Sequence, residues 1–146
     1  IIRETGLPIS FAMSSNKTVS KVGTGEAKPN GQKEIPFGTE KQFLAPLSVK
    51  KIPMVGNKTY QLLRSMGVMW IRTLQEMPVE LIEQVLGQNG TVIWRKANGI
   101  DNTPIEPYSE QKSMSTEQTF ERDTIDVKAL KAVLVSMTEK LAYQLR

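Results

Sequence analysis

The sequence predicts a mainly helical α+β chain of 146 residues, with a helix-hairpin-helix near its middle and incomplete α/β pieces at both ends. The first observation is at residues 49–68, where an apolar turn of helix runs into the segment Ile-Pro-Met-Val-Gly and a second helical pattern follows. The second is a series of short amphipathic patterns between residues 45 and 99. The third is that the strand-like segments at the two ends are too few to complete a sheet.

The N-terminal part predicts two short strands separated by a helix. Residues 1–5 are helical in pattern, and residues 7–12 form a short apolar run suited to a strand. Ser14, Ser15 and Asn16 are all residue types suited to cap a helix that runs to about residue 23. The segment Lys-Pro-Asn-Gly at residues 28–31 predicts a turn before a second strand at residues 33–35.

The middle of the chain predicts short helices joined by tight turns. Thr39 can cap the first of them, and Pro46 can open the helix that enters the hairpin. Asn57 can cap the second helix of the hairpin. Two more helices are predicted from Pro78 to about residue 86 and over residues 89–97.

The C-terminal part predicts a linker, one strand and one long helix. Residues 100–112 contain two prolines and no periodicity, and residues 113–121 alternate in polarity as a strand does. Asp126 can cap the last helix. Its apolar stripe consists of Leu130, Val133, Leu134, Met137, Leu141 and Leu145. If the chain ends at residue 146, the helix face between residues 130 and 145 is exposed, and self-association through it is expected.

Composition excludes several classes of function. The chain has no cysteine and no histidine, so disulfides, thiolate metal sites and histidine bases are impossible. No apolar run approaches the roughly 20 residues of a membrane span, and the N-terminus has no signal-peptide layout. A cytoplasmic protein without a membrane partner is therefore expected. Because the first residue is not Met, we also expect the chain to be cut from a longer one.

Charge and the hairpin together indicate a polyanionic partner. The net charge is +4, and residues 45–100 hold seven basic and three acidic side chains. The hairpin pattern predicts that the N–H groups of Val55, Gly56, Asn57 and Lys58 face a DNA phosphate, with the positive end of a helix behind them. Gly56 lets the backbone come close. Contacts of this kind read no base sequence.

Segments in order across nearly the whole chain resemble the Y-family translesion DNA polymerases, in particular the bacterial DinB type. The matching segments besides the hairpin are SNKTVSKV from Ser15, AKPNGQ from Ala27, FLAPLSV from Phe43, NG from Asn89 with Trp94, NGID from Asn98, and KSMS from Lys112 with Thr119 and Phe120. The resemblance implies that residues 1–36 end the palm, 37–99 form the thumb, 100–111 are the linker, and 112–146 are the first strand and helix of the little finger. One departure is Met54, which stands where the family usually has Gly.

The resemblance also implies roles for particular residues. Lys28 would contact the triphosphate of the incoming nucleotide, and Lys17 and Lys21 would line the palm near template or nucleotide phosphates. Backbone amides at Lys112, Ser113 and Ser115 would lie along DNA. The implied partners are a primer-template duplex, an incoming deoxynucleotide and a sliding clamp.

The same resemblance implies that this chain alone is inactive. Family members hold two Mg²⁺ ions with carboxylates near the start of the palm, whereas Asp occurs here only at positions 101, 123 and 126. Two-metal phosphoryl transfer needs carboxylates that hold the cations a few Å apart. We therefore expect no catalytic and no metal-binding residue in this chain, and Mg²⁺ ligands that lie outside it.

Two rival functions fit the residues. One is a non-catalytic helix-hairpin-helix module that binds DNA in a repair protein, although such a module would not need the turn at residues 28–31. The other is a helical interaction domain with no role on DNA. Salt-dependent binding to duplex DNA would separate this last hypothesis from the others.

Overall fold

The computed structural model of the protein describes residues 2–108 and 112–145. By its contacts the chain divides into two units, Ile1–Ile105 and Glu106–Arg146. The described part is mainly helical with one small parallel sheet, which confirms the predicted mainly helical α+β class. Position 1 of the first predicted helix, positions 109–111 of the predicted linker and position 146 lie outside the described residues.

The first unit begins with a small β-α-β arrangement. After helix α1 (Ile2–Thr5), strand β1 (Phe11–Met13) pairs in parallel with strand β2 (Gln32–Glu34), and helix α2 (Lys17–Glu26) connects them. Parallel neighbours cannot be joined by a tight hairpin, so a crossover such as α2 is required. Ala12 lies opposite Lys33 in the register.

Helix α2 begins as predicted but runs further. The side-chain oxygen of Asn16 accepts the N–H of Val19 at 3.0 Å, which confirms the predicted cap. The helix continues past residue 23 because Gly23 is buried against the sheet. A Cβ there would lie 2.7 Å from the side chain of Ile35 and 2.8 Å from that of Ala12. Glycine thus permits close packing here rather than ending the helix.

Six short helical segments follow in the first unit. They are α3 (Glu40–Leu44), a 3-10 helix (Val49–Lys51), α4 (Asn57–Ser65), α5 (Ile71–Glu76), α6 (Val79–Leu86) and α7 (Gln88–Ala97). Thr39 occupies the N-cap position of α3, as predicted, but the expectation that its side chain caps the helix is wrong, because its hydroxyl donates to the carbonyl of Pro36 at 2.7 Å.

The helix predicted to open at Pro46 is also wrong. The backbone before the hairpin is engaged in an antiparallel bridge between Ser48 and Trp70. The N–H of Ile71 donates to the carbonyl of Leu47 at 2.8 Å, and the N–H of Val49 donates to that of Met69 at 3.0 Å. Only a single 3-10 turn remains between this bridge and the hairpin.

One hydrophobic core joins the β-α-β part to the short helices. Its fully or nearly fully buried members are Val19, Val22, Ile35, Leu44, Val49, Ile52, Val55, Leu63, Val68, Ile71, Leu74, Ile82, Ile93 and Ala97. Trp94 packs against this core, and its indole N–H donates to the carbonyl of Met77 at 3.0 Å. Residues on both sides of the predicted boundary at residue 36 therefore share one core.

The second unit is described by itself and contains helix α8 (Val127–Gln144). The predicted cap is confirmed, because Oδ1 of Asp126 accepts the N–H groups of Lys128 at 2.9 Å and Ala129 at 3.2 Å. Of the predicted apolar stripe, Leu134 and Leu145 are exposed and the other four residues are half-buried, and self-association through this face stays a prediction. None of the described helices combines the length and the apolar character needed to cross a bilayer.

The strand predicted at residues 113–121 is wrong. Residues 112–126 carry neither helix nor strand, although Met114 and Thr116 are half-buried and their neighbours are exposed. A strand needs a partner to satisfy its backbone groups, and within residues 112–145 no second strand is described. The polarity pattern of the sequence therefore corresponds to alternating burial at Met114 and Thr116, but these residues do not pair as a strand.

Two glycine substitutions, one at the contact between α6 and α7 and one at an open position of α2, test how closely α6 and α7 pack. A Cβ on buried Gly90 would lie 2.4 Å from the carbonyl oxygen of Ile82, whereas a Cβ on Gly25 in α2 would meet no heavy atom within 4 Å. We expect Gly90→Ala to destabilise the first unit by about 1–3 kcal/mol. Gly25→Ala should stabilise it by about 0.5–1 kcal/mol, because alanine has the higher helix propensity.

Urea unfolding followed by tryptophan fluorescence measures both variants, since Trp70 and Trp94 both lie in the first unit. Equal stability of the two variants would show that α6 and α7 do not approach as closely as described.

Candidate nucleic-acid interface

The four N–H groups predicted to face a phosphate fall into two pairs, which differ in whether they are hydrogen-bonded within the hairpin. The N–H of Val55 donates to the carbonyl of Ile52 at 3.1 Å, and the N–H of Gly56 donates to that of Met54 at 3.1 Å. These two donors are therefore occupied within the turn, which corrects the expectation that they face a ligand. The side chain of Val55 is also buried in the core.

The other pair opens helix α4. Asn57 is the first helical residue and not the cap; that position belongs to Gly56, and no side chain caps the helix. The N–H groups of Asn57, Lys58 and Thr59 make no hydrogen bond with any residue in the described part of the chain. Asn57 and Lys58 are exposed, and a Cβ on Gly56 would meet nothing within 4 Å. The positive end of α4 is thus accessible to an anion.

Met54 adopts a backbone conformation that disfavours its side chain. Its φ is +83°, in the left-handed region, and its side chain is 53% exposed. Residues with a Cβ rarely adopt this region, which costs roughly 1–2 kcal/mol. The departure from glycine noted in the sequence therefore places strain at the tip of the hairpin.

Three lysines surround the hairpin in different ways. The ammonium of Lys50 lies 5.7 Å from the centre of the Tyr60 ring, a cation–π distance. Lys51 forms an ion pair with Glu26 at the end of α2. Lys58 is exposed and has no ion-pair or hydrogen-bond partner within residues 2–108. The ion pair between Lys51 and Glu26 places the 3-10 helix that enters the hairpin beside the end of α2.

Lys28 lies in the turn that follows α2. It is exposed, and its ammonium contacts no charged or hydrogen-bonding group in the part of the chain described. The turn needs Gly31, because a Cβ there would lie 2.2 Å from the carbonyl oxygen of Ala27. Since Lys28 follows Glu26 by two positions, the structure brings this turn close to the hairpin. Lys28 in this turn and Lys58 at the hairpin each carry a positive charge that has no ion-pair partner within residues 2–108.

Lys17 and Lys21 lie one turn apart on the exposed face of α2, while Thr18 and Val22 are buried. Lys17 also lines a cavity of about 760 Å³. Its other lining residues are Ser14, Ser15, Asn16, Ser20, Asp101, Asn102, Thr103 and Ile105.

Lys112, Ser113 and Ser115 lie in the second unit. All three are exposed and belong to the segment without helix or strand. Their proposed contact with DNA stays a prediction.

A polar network at the start of α2 was not predicted from the sequence. The Oδ2 atom of Asp101 accepts the N–H of Thr18 at 3.2 Å and its hydroxyl at 2.7 Å, although the two residues are 83 positions apart. The ammonium of Lys96 donates to the hydroxyl oxygen of Thr18 at 3.2 Å. The Oδ1 atom of Asp101 accepts the N–H of Thr103 at 3.1 Å. No local signal marks this network, because its members come together only in the folded chain.

Electrostatics in this network favour the charged form of Asp101. Hydrogen bonds from Thr103 and from Thr18 hold the pKa of Asp101 well below its usual range, although partial burial raises it, and the charge of Lys96 lowers it by a smaller amount. A hydrogen bond from the Ser15 hydroxyl likewise lowers the pKa of Glu40.

The described residues do not form a magnesium site. Within residues 2–108 and 112–145, no group of three or more acidic, histidine or cysteine side chains could hold a metal ion. The described residues therefore do not fit a two-metal centre.

Comparison with known proteins identifies the relatives of the chain. Residues 111–146 match the impB/mucB/samB family C-terminal domain. All 146 residues align with DNA polymerase IV of Dehalococcoides mccartyi at 40% identity, and they cover 37% of that protein. DNA polymerase IV of Shewanella amazonensis is 35% identical over 97% of this chain and 40% of its own length. The chain is a homologue of DNA polymerase IV, of the DinB-like Y-family.

Solved structures show the same fold. The crystal structure of DinB from Sulfolobus solfataricus superposes with a TM-score of 0.63 over 72% of this chain and 31% of its own, at 21% identity. A ternary complex of Dbh, with substrates partially disordered, matches with the same TM-score over 72% of this chain and 32% of that one. These results confirm the resemblance to the Y-family. The chain spans about two fifths of the length of the DNA polymerase IV relatives it matches.

The left-handed backbone conformation of Met54 predicts how substitutions at this position change stability. We expect Met54→Gly to stabilise the first unit by about 0.5–1 kcal/mol, because relief of the left-handed strain exceeds the entropy that glycine loses on folding. Met54→Ala keeps the Cβ and should bring no gain. Urea unfolding followed by tryptophan fluorescence measures both, and a gain for alanine as large as that for glycine would exclude strain as the cause.

The lowered pKa of Asp101 predicts how its contribution to the free energy of unfolding changes with pH. Because its pKa is lower in the folded chain than in the unfolded chain, its contribution is fully present above its ordinary pKa of about 3.9 and is lost as the pH falls. We expect Asp101→Asn to lower stability by about 1 kcal/mol at pH 7. The difference from the wild type should shrink between about pH 5 and pH 2.

Urea unfolding at pH 7, 5 and 3 measures this difference. Asp123→Asn, which removes an exposed carboxylate from the second unit, serves as the charge-matched control and should follow the wild type at every pH. A constant difference between Asp101→Asn and the wild type across these pH values would contradict the prediction.

Proposed function

We propose that this chain is part of a low-fidelity translesion DNA polymerase and that it grips the primer-template duplex through backbone phosphates. The observation that carries the proposal is the start of α4, where the N–H groups of Asn57 and Lys58 have no partner among the described residues and lie at the positive end of a helix. Homology to DNA polymerase IV over the whole chain supports the enzyme class.

The proposed division of labour follows the order of the chain. Residues 1–36 would form the last part of the palm, and residues 37–99 would form the thumb. Residues 100–111 would link the thumb to the little finger, of which residues 112–146 would form the first part. The start of α4 in the thumb would bind one phosphate of the primer strand through two amides and the charge of Lys58. Phosphate contacts fix register without reading bases, which suits a polymerase that must accept distorted pairs.

Lys28 is proposed to bind the triphosphate of the incoming nucleotide. Its rigid turn and unpaired ammonium support this role, because lysine acts as a point charge toward phosphate. Lys17 and Lys21 would add positive charge along the exposed face of α2. In the second unit, Lys112, Ser113 and Ser115 would contact the DNA backbone, and contact with a sliding clamp stays a prediction.

The chain alone is proposed to be inactive. Its described acidic residues form no cluster that could hold two Mg²⁺ ions, and these ions would be bound by residues outside the chain. Its own contribution would be to bind and orient duplex and nucleotide phosphates.

A substitution at the first position of α4 tests the grip directly. Proline is well tolerated at this position of a helix but has no N–H, and Gly56 before it is already extended, with ψ at 179°. We expect Asn57→Pro to fold normally and to bind duplex DNA about tenfold more weakly, since one charge-assisted hydrogen bond is lost. Fluorescence anisotropy of a labelled duplex over a range of salt concentrations measures the affinity.

Asn57→Ala is the matched control, because it removes the same side chain and keeps the N–H. It should bind like the wild type, and the logarithm of the affinity should fall with the logarithm of salt at the same slope in all three proteins. If the proline and alanine variants bind equally well, the start of α4 is not the grip. If no variant binds in a salt-dependent manner, the chain has no role on DNA.

A further inference from the structure

We propose that Asp101 and Asn16 anchor the start of the predicted linker to α2, so that the free part of the linker begins only after Ile105. The sequence predicts a linker from residue 100 onward, but the contacts of the chain assign residues up to Ile105 to the first unit. Side chains at the start of α2 account for this difference.

Asn16 provides the first attachment. Its side-chain oxygen caps α2 at the N–H of Val19, and the amide nitrogen of the same side chain donates to the carbonyl of Gly99 at 2.8 Å. One side chain therefore satisfies a helix end and holds the turn that closes α7. The two residues joined in this way are 83 positions apart.

Asp101 provides the second attachment and supplies a charge that α2 lacks. Helix α2 has no acidic residue in its own first turn. The carboxylate of Asp101 occupies that place, where it accepts two hydrogen bonds from Thr18, and a negative charge is favourable at a helix N-terminus. Lys96 of α7 completes the arrangement from the other side of the Thr18 hydroxyl.

The same carboxylate orders the chain that follows it. Its Oδ1 atom accepts the N–H of Thr103, so that residues 101–103 form a turn around the side chain that is attached to α2. The hydrogen bonds thus hold the predicted linker positions 100–103 on the first unit, and the contacts of the chain extend that unit to Ile105. At roughly 3.3 Å per extended residue, four held positions remove about 13 Å from the reach of the linker.

Nitroxide labels at two positions test where the free linker begins. Because the chain has no cysteine, a single Asn102→Cys or Glu106→Cys gives one unique attachment point, and both positions are exposed. We expect the electron paramagnetic resonance spectrum of the label at 102 to contain an immobile component that the label at 106 lacks. Asp101→Ala should abolish that component and leave the label at 106 unchanged.

Asp126→Ala is the matched control, since it removes the same kind of helix cap from α8 in the second unit. It should not change the label at 102. A label at 102 that is as mobile as the one at 106 while Asp101 is present would overturn the proposal. So would an immobile component that survives Asp101→Ala.

A milder variant keeps the test valid if Asp101→Ala fails to fold. Asp101→Asn retains a neutral acceptor for Thr18 but loses the charge that strengthens these hydrogen bonds. The immobile component of the label at 102 should then decrease without disappearing, while far-UV circular dichroism shows native helix content. An unchanged spectrum in this folded variant would contradict the anchor.

Discussion

The ends of short helices impose the main constraint on the first unit, because every helix leaves N–H and carbonyl groups that its own backbone cannot satisfy. Distant side chains meet this demand. Gln75, buried in α5, donates from Nε2 to the carbonyl of Ala97 at 2.8 Å, so its amide closes the end of α7. Asp101 does the same for the start of α2. Each of these contacts satisfies a helix end and also fixes the position of one element against another.

The start of α4 is one of several helix starts in the first unit without a side-chain cap, and the exposed Lys58 beside it supports a role for it. Unlike the start of α2, it has no side-chain cap, and its first N–H groups have no partner among the residues described. Water satisfies such groups at no great cost when they are exposed, so stability does not require a cap. An uncapped helix start beside an exposed Lys58 is suited to binding an anion. The anion proposed for this place is a DNA backbone phosphate.

The sequence predicts part of the local chemistry, although the side chains of Thr39 and Asn57 do not act as the predicted caps, and it does not predict long-range pairing. Asn16 and Asp126 were recognised as caps because each bonds N–H groups two or three positions away. The contact of Asp101 with Thr18 spans 83 positions and left no local pattern. The two errors of secondary structure have the same origin. Residues 113–121 have the alternation of a strand but no described partner, and the backbone after Pro46 has a partner at Trp70 that the sequence did not reveal.

The common core, more than any ion pair, sets the geometry of the proposed grip. Lys51 and Glu26 join the hairpin to the end of α2, but both are partly exposed, and such pairs contribute about 0–1 kcal/mol. Val19 and Val22 of α2 belong to the same buried cluster as Val49 and Ile52 of the hairpin. Burying aliphatic side chains of this kind contributes about 1.5–3 kcal/mol each. The apolar positions therefore hold the turn of Lys28 and the start of α4 at a fixed separation, which the proposed phosphate contacts require.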